Sequence, residues 1–279
     1  MPRILIFPIS EIYDVMSWEI NLFLFCAAER RRNGGEMFIK NPNLPDKKVN
    51  AVLIDYRAEK AAAALRKLGI EVFVTPRLDI AYPAVSGHPD MLFHQLDENC
   101  AAVVPAALEY FKEMFPDCEI FAGGAIADTY PRDIAYNIAR LGKLAFHNKK
   151  YTDKKIYEYY TQNGIRLINT AQGYTKCSIC IVSENAIITA DRKLARLAWE
   201  NGLDALLIGS GNIRLKDFPY GFIGGAAGLI SKEILSFNGD ITQHPDYREI
   251  KHFCARHGVE TLPLHSDVLE DIGSIIPVK

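Results

Sequence analysis

The chain has 279 residues, 49% of them hydrophobic and 24% charged, the composition of an ordinary globular protein. Lys and Arg number 32 against 34 Asp and Glu, a net charge of −2 that gives no reason to expect nucleic acid or an anionic membrane as a partner. Apolar runs such as residues 222–230 fall far short of the ~20 residues that cross a bilayer.

The first 48 residues precede any regular pattern. Residues 4–7 read as an apolar strand and 14–32 as a helix, whose basic end Arg30-Arg31-Arg32 is stopped by Asn33-Gly34-Gly35. Pro2 and Arg3, then Glu11 and Asp14, interrupt what would be the apolar core of a signal peptide, so no export signal is expected. The six cysteines, Cys26, Cys100, Cys118, Cys177, Cys180 and Cys254, lack the spacing of a disulfide framework and read as reduced thiols of a cytoplasmic protein. Residues 41–46 form a loop.

From residue 50 one unit recurs five times. A strand is followed by a helix, the helix closes on a small or polar residue, and a second strand carries an acid or arginine near its start. The first strands are 50–54, 101–104, 142–146, 186–189 and 234–237. The helices are 58–68, 107–115, 154–162, 192–201 and 247–257, and Leu194, Leu197, Ala198 and Ile250, Phe253, Cys254 fall three and four apart as one buried face requires. Gly69, Gly164, Gly202 and Gly258 follow four of these helices, where a left-handed residue is needed. The second strands are 68–74, 117–121, 163–168, 201–207 and 257–262.

A third strand turns back into each next unit. Two copies align without a gap, residues 173–184 over 221–232, and each ends in a turn at Ser183-Glu184-Asn185 or Ser231-Lys232-Glu233. Five such units can close into a ring, because closure removes exposed sheet edges. The expected architecture is α/β, a five-bladed propeller around a central channel, in a single domain spanning 1–279: an extension at 1–48, then five repeats over 50–279. The last unit ends in residues 271–276, near the C-terminus, so one blade should combine strands from both ends.

Five strand-helix-strand units about a centre resemble the pentein fold of the guanidino-group-modifying enzymes: arginine and agmatine deiminases, dimethylarginine dimethylaminohydrolases and amidinotransferases. Ser86-Gly87-His88-Pro89-Asp90-Met91-Leu92-Phe93 is similar to that family's Gly-Gly-Asp-apolar-apolar-Phe segment. The resemblance implies that Asp90 binds a substrate guanidinium, and a planar cation with several N–H donors suits a carboxylate. The segment also reads as the family's His-x-Asp, which implies an acid/base role for His88. On a regular strand, residues two apart share a face; as a turn, the same tripeptide would start a helix, as at His244-Pro245-Asp246.

Gly173-Tyr174-Thr175-Lys176-Cys177-Ser178 is similar to the dihydrolases' His-Leu-Lys-Ser, with Lys176 on the lysine and Tyr174 in place of the histidine. Where the family carries its terminal cysteine nucleophile, this chain has Asp271-Ile272-Gly273-Ser274. Another thiol could serve, and Cys177, at the start of a third strand, is the candidate nucleophile; the alternative for it and Cys180 is a small buried apolar residue. On a strand, Lys176 and Cys177 would face opposite ways. Cys177-x-x-Cys180 has no second pair at metal spacing, so no metal is expected; the resemblance implies no cofactor, because the family's covalent thiol mechanism needs none. Ser274 could act only with a base, and His265 is the nearest histidine in sequence.

Polar loop residues could also face the centre: Arg77, Asp79, Arg132, Asp133, Asn137, Arg140, Asn169, Gln172, Asn212, Arg214, Asp267, Glu270 and Asp271. Asn137 and Arg140 loosely match an Asn-x-x-Phe-x-Arg-Asp motif of arginine deiminases. Together with Asp90, Lys176, Tyr174, Asp271 and Ser274, they are the expected ligand contacts. The glycines of 221–228 lack the strand-then-helix context of a phosphate loop, and read as close packing or room for a ligand. Two readings stay open: an enzyme acting through Cys177 and His88 on a guanidine- or amino-acid-like small molecule, and a non-catalytic relative that binds a ligand or partner. A homodimer is compatible with either.

Overall fold

Alternation of short buried strands with amphipathic helices produces the same local assembly five times. The structure, a computed structural model, describes residues 37–279; the expected strand at 4–7, helix at 14–32 and Cys26 lie outside them. The first unit is β1 (Ala51–Ile54), α1 (Glu59–Lys67) and β2 (Glu71–Val74). A one-turn helix α2 (Pro89–Leu92) leads into β3 (Phe93–Gln95), β4 (Cys100–Val103), α3 (Leu108–Met114) and β5 (Glu119–Ala122). The third unit is β6 (Ala139–Leu141), β7 (Leu144–His147), α4 (Lys154–Gln162) and β8 (Arg166–Asn169). A second one-turn helix α5 (Thr175–Ser178) opens β9 (Ile179–Ser183), β10 (Ala186–Thr189), α6 (Arg192–Glu200) and β11 (Asp204–Leu207). The last unit is β12 (Ala227–Ser231), β13 (Ile234–Phe237), α7 (Tyr247–Arg256) and β14 (Glu260–Pro263), and the chain ends through β15 (Ile276–Pro277).

The described residues hold five three-stranded sheets of one topology: β15-β1-β2, β3-β4-β5, β6-β7-β8, β9-β10-β11 and β12-β13-β14. In each, the first strand pairs antiparallel with the middle one, and the middle pairs parallel with the last. A parallel pair cannot be joined by a tight turn, and the helix supplies the crossover. The sheet expected to join the two chain ends does so: Val52 pairs with Pro277 and Leu53 with Ile276.

Local chemistry explains the helix limits. Asp153 caps α4 through the Lys155 and Ile156 amides at 2.9 and 3.1 Å, and Asp191 caps α6 through Lys193 and Leu194 at 2.7 and 3.1 Å. Gly69, Gly164, Gly202 and Gly258 all have φ between +63° and +80°, a region costly for any residue with a Cβ. Helices α6 and α7 bury Leu194, Ala195, Ala198 and Ile250, Phe253, Cys254. Among the described residues, no helix is long and apolar enough to cross a membrane.

The first strands of the sheets abut one another: β6 meets β9, β9 meets β12, and β12 meets β15. The glycine-rich stretch permits these junctions. A Cβ on Gly224 would stand 2.4 Å from the Ile179 carbonyl oxygen, and one on Gly228 1.8 Å from that of Ile275. Close packing, rather than room for a ligand, explains these small residues. One expectation is corrected. Residues 173–178 were expected to be extended, but Thr175–Ser178 form a helical turn before the strand, which changes where their side chains point; of the two readings of the segment at 88–90, the turn that starts a helix is the one found, at Pro89–Leu92.

Candidate functional site

Both one-turn helices aim at the same spot. Pro89 at the first position of α2 has its φ preset for a helix. Asn137 holds α5 in place: its Oδ1 accepts from the amides of Lys176 and Cys177 at 2.8 and 3.3 Å, and its Nδ2 lies 3.2 Å from Cys177 Sγ. The strand alternation expected for Lys176 and Cys177 fails because a helical turn advances about 100° per residue. Both side chains therefore reach the cluster.

The Cys177 thiol donates to Asp90 Oδ2 at 2.9 Å. The same oxygen lies 3.2 Å from Ser274 Oγ, which accepts from Lys176 Nζ at 2.9 Å and sits 2.9 Å from the Gly224 carbonyl. Beside them His88 Nδ1 is 3.8 Å from Asp271 Oδ1, whose carboxylate accepts from the Phe222 and Gly273 amides at 3.0 Å each. His88, Asp90, Asn137, Lys176, Cys177, Asp271 and Ser274 are all buried. Yet Asp90 Oδ1 and both ring nitrogens of His88 have no hydrogen-bond partner. Buried polar atoms left unmet cost roughly 1–3 kcal/mol each, a cost that a hydrogen-bonding water or ligand would offset.

The backbone around it is tightly constrained. Ser274 has φ +81°, and a Cβ on its neighbour Gly273 would come within 2.3 Å of His88 Cβ. A Cβ on Gly225 would lie 1.9 Å from Asp271 Oδ1. Non-glycine residues at positive φ persist only where surrounding structure demands them.

Burial sets the charges. Desolvation pushes Asp90 up to about 6, against the pull of Lys176 and of the Cys177 and Ser274 hydrogen bonds. It likewise pushes Asp271 up to about 6, with His88 opposing. Burial lowers His88 and Lys176, the latter opposed by Asp90. Cys177 is raised well above an ordinary thiol by burial and by the Asp90 and Asp271 charges. At neutral pH the resting thiol and imidazole are therefore uncharged beside two acids.

A cavity of about 260 Å³ opens onto this cluster, with His88, Cys177 and Asp271 at its polar part and Tyr174, Leu215, Phe218 and Phe222 among its walls. Asp90 and Lys176 also border a separate void of about 20 Å³. Tyr174, at the position where the resemblance has a histidine, donates its hydroxyl to Asp133 Oδ2 at 2.5 Å.

Two expectations are overturned. Arg140 does not join the cluster: its guanidinium donates to the Leu96 and Gly142 carbonyls and lies over the Tyr160 ring. His265 is no base for Ser274, because its Nε2 is 3.0 Å from Asn238 Oδ1. Of the loop residues, Arg214 pairs with Glu270 and Asp267 with Lys60. The cavity walls at 215–222 were missed; the alternate aromatic residues Phe218, Tyr220 and Phe222 in the long connection between β11 and β12 were the available signal.

His88, Asp90 and Cys177 each offer a donor atom, all within 4.8 Å of one another, the set among the described residues that could hold a soft divalent ion. The buried Lys176 ammonium beside Asp90 opposes a dication there. Cys177 and Cys180 are buried thiols with no disulfide between them in this structure.

The fold is shared with solved enzymes. The inosamine-phosphate amidinotransferase from Streptomyces griseus aligns over 87% of this chain and 97% of its own, with a TM-score of 0.53 and 10% identity. An amidinotransferase of the saxitoxin pathway from Microseira wollei aligns over 86% and 97%, at 0.52 and 12%. DDAH from Pseudomonas aeruginosa, in a cysteine-to-serine mutant complexed with citrulline, aligns over 82% and 96%, at 0.52 and 9%. These likenesses establish the pentein fold. No curated protein matches the chain in sequence. A model for a family of unknown function (DUF6873) matches residues 53–276.

Proposed function

We propose, for a chain that belongs to this family of unknown function (DUF6873), that the buried cluster binds a guanidine- or amidine-containing small molecule and that Cys177 reacts with it. In this reading the five sheets are blades of a ring with the cluster at its axis; the contacts among first strands support that arrangement. One observation carries the function: both His88 nitrogens are buried and unpartnered where His88 and Cys177 line the cavity, and Asp90 Oδ1 is buried and unpartnered behind the thiol. A planar cation with several N–H donors would satisfy Asp90 and Asp271 together.

The ligand's charge would also change the thiol. Asp90 and Asp271 hold the proton on Cys177, and a cation between them reverses that push. The proton would pass from Sγ to Asp90 Oδ2, and a C–S bond would form at the amidine carbon. The departing amine would take that same proton back from Asp90, directly or relayed through His88, as its C–N bond breaks. Water then releases the amidino carbon in a hydrolase, a second amine in a transferase.

A second reading is a ligand-binding pentein without catalysis. It is favoured by Tyr174, held by Asp133 where the resemblance implies a histidine, and by Ser274 where it implies a cysteine. Chloroacetamidine, a cationic alkylating agent, separates the two. Peptide mapping is expected to find the adduct on Cys177 ahead of Cys180 and Cys254, with agmatine slowing it. If Cys177 stays unmodified and agmatine leaves the melting temperature unchanged, the enzymatic reading fails.

The pH dependence of binding follows from the two acids. Asp90 and Asp271 take up protons as pH falls through about 6, and a protonated acid has no charge to offer a cation. The melting-temperature gain from agmatine is therefore expected to be small at pH 5 and to grow through pH 7. A gain that is flat over this range would show that neither acid meets the ligand.

A further inference from the structure

We infer that the ligand is an aromatic or arylalkyl amidine or guanidine without a carboxylate, and that Phe218 and Tyr220 select it; this rests on the function proposed above. The cavity has one polar end, formed by His88, Cys177 and Asp271, and otherwise apolar walls that include Leu215, Phe218, Tyr220 and Phe222. No arginine or lysine lines it among the described residues. An amino-acid ligand presents a carboxylate, which needs a cation or several donors once out of water.

The arginines that could have met a carboxylate are engaged elsewhere. Arg57 grips Asp55 and donates to the Pro83 and Ala84 carbonyls. Arg214 pairs with Glu270 at 2.6 Å, and Arg140 is spent on the Leu96 and Gly142 carbonyls. The expectation of an amino-acid-like ligand therefore finds no matching charge on the cavity wall, whereas a cationic head finds Asp271 there.

The walls suit a ring. Phe218 and Tyr220 are 44% and 43% exposed, high for aromatic side chains on a cavity wall. Phe218 meets Tyr82 edge-on at 6.2 Å between centroids, and Tyr220 meets Phe222 in the same way at 6.2 Å. These contacts hold the rings in place at little entropic cost. Asp217, at φ +64°, makes the tight turn between Leu215 and Phe218 that presents Phe218. The cavity volume of about 260 Å³ lies just below the ~300–1,000 Å³ range of ligand pockets, so the ligand is small.

The test is calorimetric titration of the full chain with benzamidine, phenethylguanidine, agmatine and L-arginine at pH 7.5. Either aryl compound is expected to bind at least about tenfold more tightly than agmatine, through ring burial, and L-arginine more weakly than both. Phe218→Ala and Tyr220→Ala, at exposed positions that leave folding intact, should weaken the aryl compounds about five- to tenfold and leave agmatine unchanged. L-arginine or agmatine binding as tightly as the aryl compounds would overturn this inference while leaving the proposed guanidine site standing. If none of the four binds, the site reading fails, and this inference with it.

Discussion

Asp90→Asn is expected to cut the preference of Cys177 for chloroacetamidine over chloroacetamide by about a hundredfold or more, the value of one buried, charge-assisted hydrogen bond of about 3 kcal/mol. The two reagents are nearly isosteric and differ in charge, so their rate ratio isolates the electrostatic contribution. Asp90 acts on them in opposite directions. Its carboxylate raises the Cys177 pKa, so its loss should leave the neutral amide's rate unchanged or faster. The same loss removes the anchor for the amidinium and slows the cationic reagent. The substitution also leaves the buried Lys176 ammonium without its acid, and some stability will go with it. A ratio of rates is insensitive to that, because both reagents sample the same folded population. A ratio within threefold of the wild-type value would remove Asp90 from the role proposed for it.

Gly228→Ala should destabilise the protein by about 3 kcal/mol or more, a fall in melting temperature of roughly 6–12 °C. The added methyl would stand 1.8 Å from the Ile275 carbonyl oxygen and 2.8 Å from its carbon. Both are backbone atoms, which cannot rotate away as a side chain can. Relief requires separating β12 from the segment entering β15, where the Ile275 amide donates to the Ala227 carbonyl at 3.1 Å. That segment also carries Gly273 and Ser274 into the cluster, so the Cys177 site should loosen with it. Gly164→Ala is the control: it has φ +63° but nothing within 4 Å of the added methyl, so it pays only about 1–2 kcal/mol of backbone strain. If the two variants melt together, the close approach at Gly228 is not a structural requirement.

The repeat was legible because its signals are local. Leu194, Leu197 and Ala198 lie within one helix, and Gly202 follows it by a few residues; no long-range contact is needed to read them. Helix limits came within a residue or so of the structure at 192–200 and 247–256. The pairing of β15 with β1 could be anticipated because five units left one sheet short of a strand. Asp90, His88, Lys176, Asn137, Asp271 and Ser274 could be named from the family resemblance, and Cys177 as the thiol at the start of a third strand. Their arrangement could not. Whether Lys176 and Cys177 share a side depends on a one-turn helix too short for any periodicity to mark, held by an Asn137 amide 39 and 40 residues away.

Arg140 and His265 show the opposite failure. Each is a chemically suitable residue in a suitable stretch, and each is taken by partners distant in sequence: the Leu96 carbonyl 44 residues away and Asn238 27 residues away. The cavity wall was missed because Phe218, Tyr220 and Phe222, though two apart, alternate with Pro219 and Gly221 in a stretch that forms no strand, and they line the cavity only after the 215–222 loop folds.

By itself the sequence determined the five-unit α/β organisation, the sheet built from both chain ends and the set of polar residues from which a site could be drawn. These depend on periodicity, helix caps and turn chemistry, which act over one or two turns of chain. Only the tertiary structure decided which of those residues meet, which atoms are left unpartnered, and that the cavity is acidic at one end and apolar along its walls. Those properties arise from contacts between segments up to 184 residues apart, such as Asp90 with Ser274, and from the burial that moves Asp90, Asp271 and Cys177 from their ordinary proton affinities.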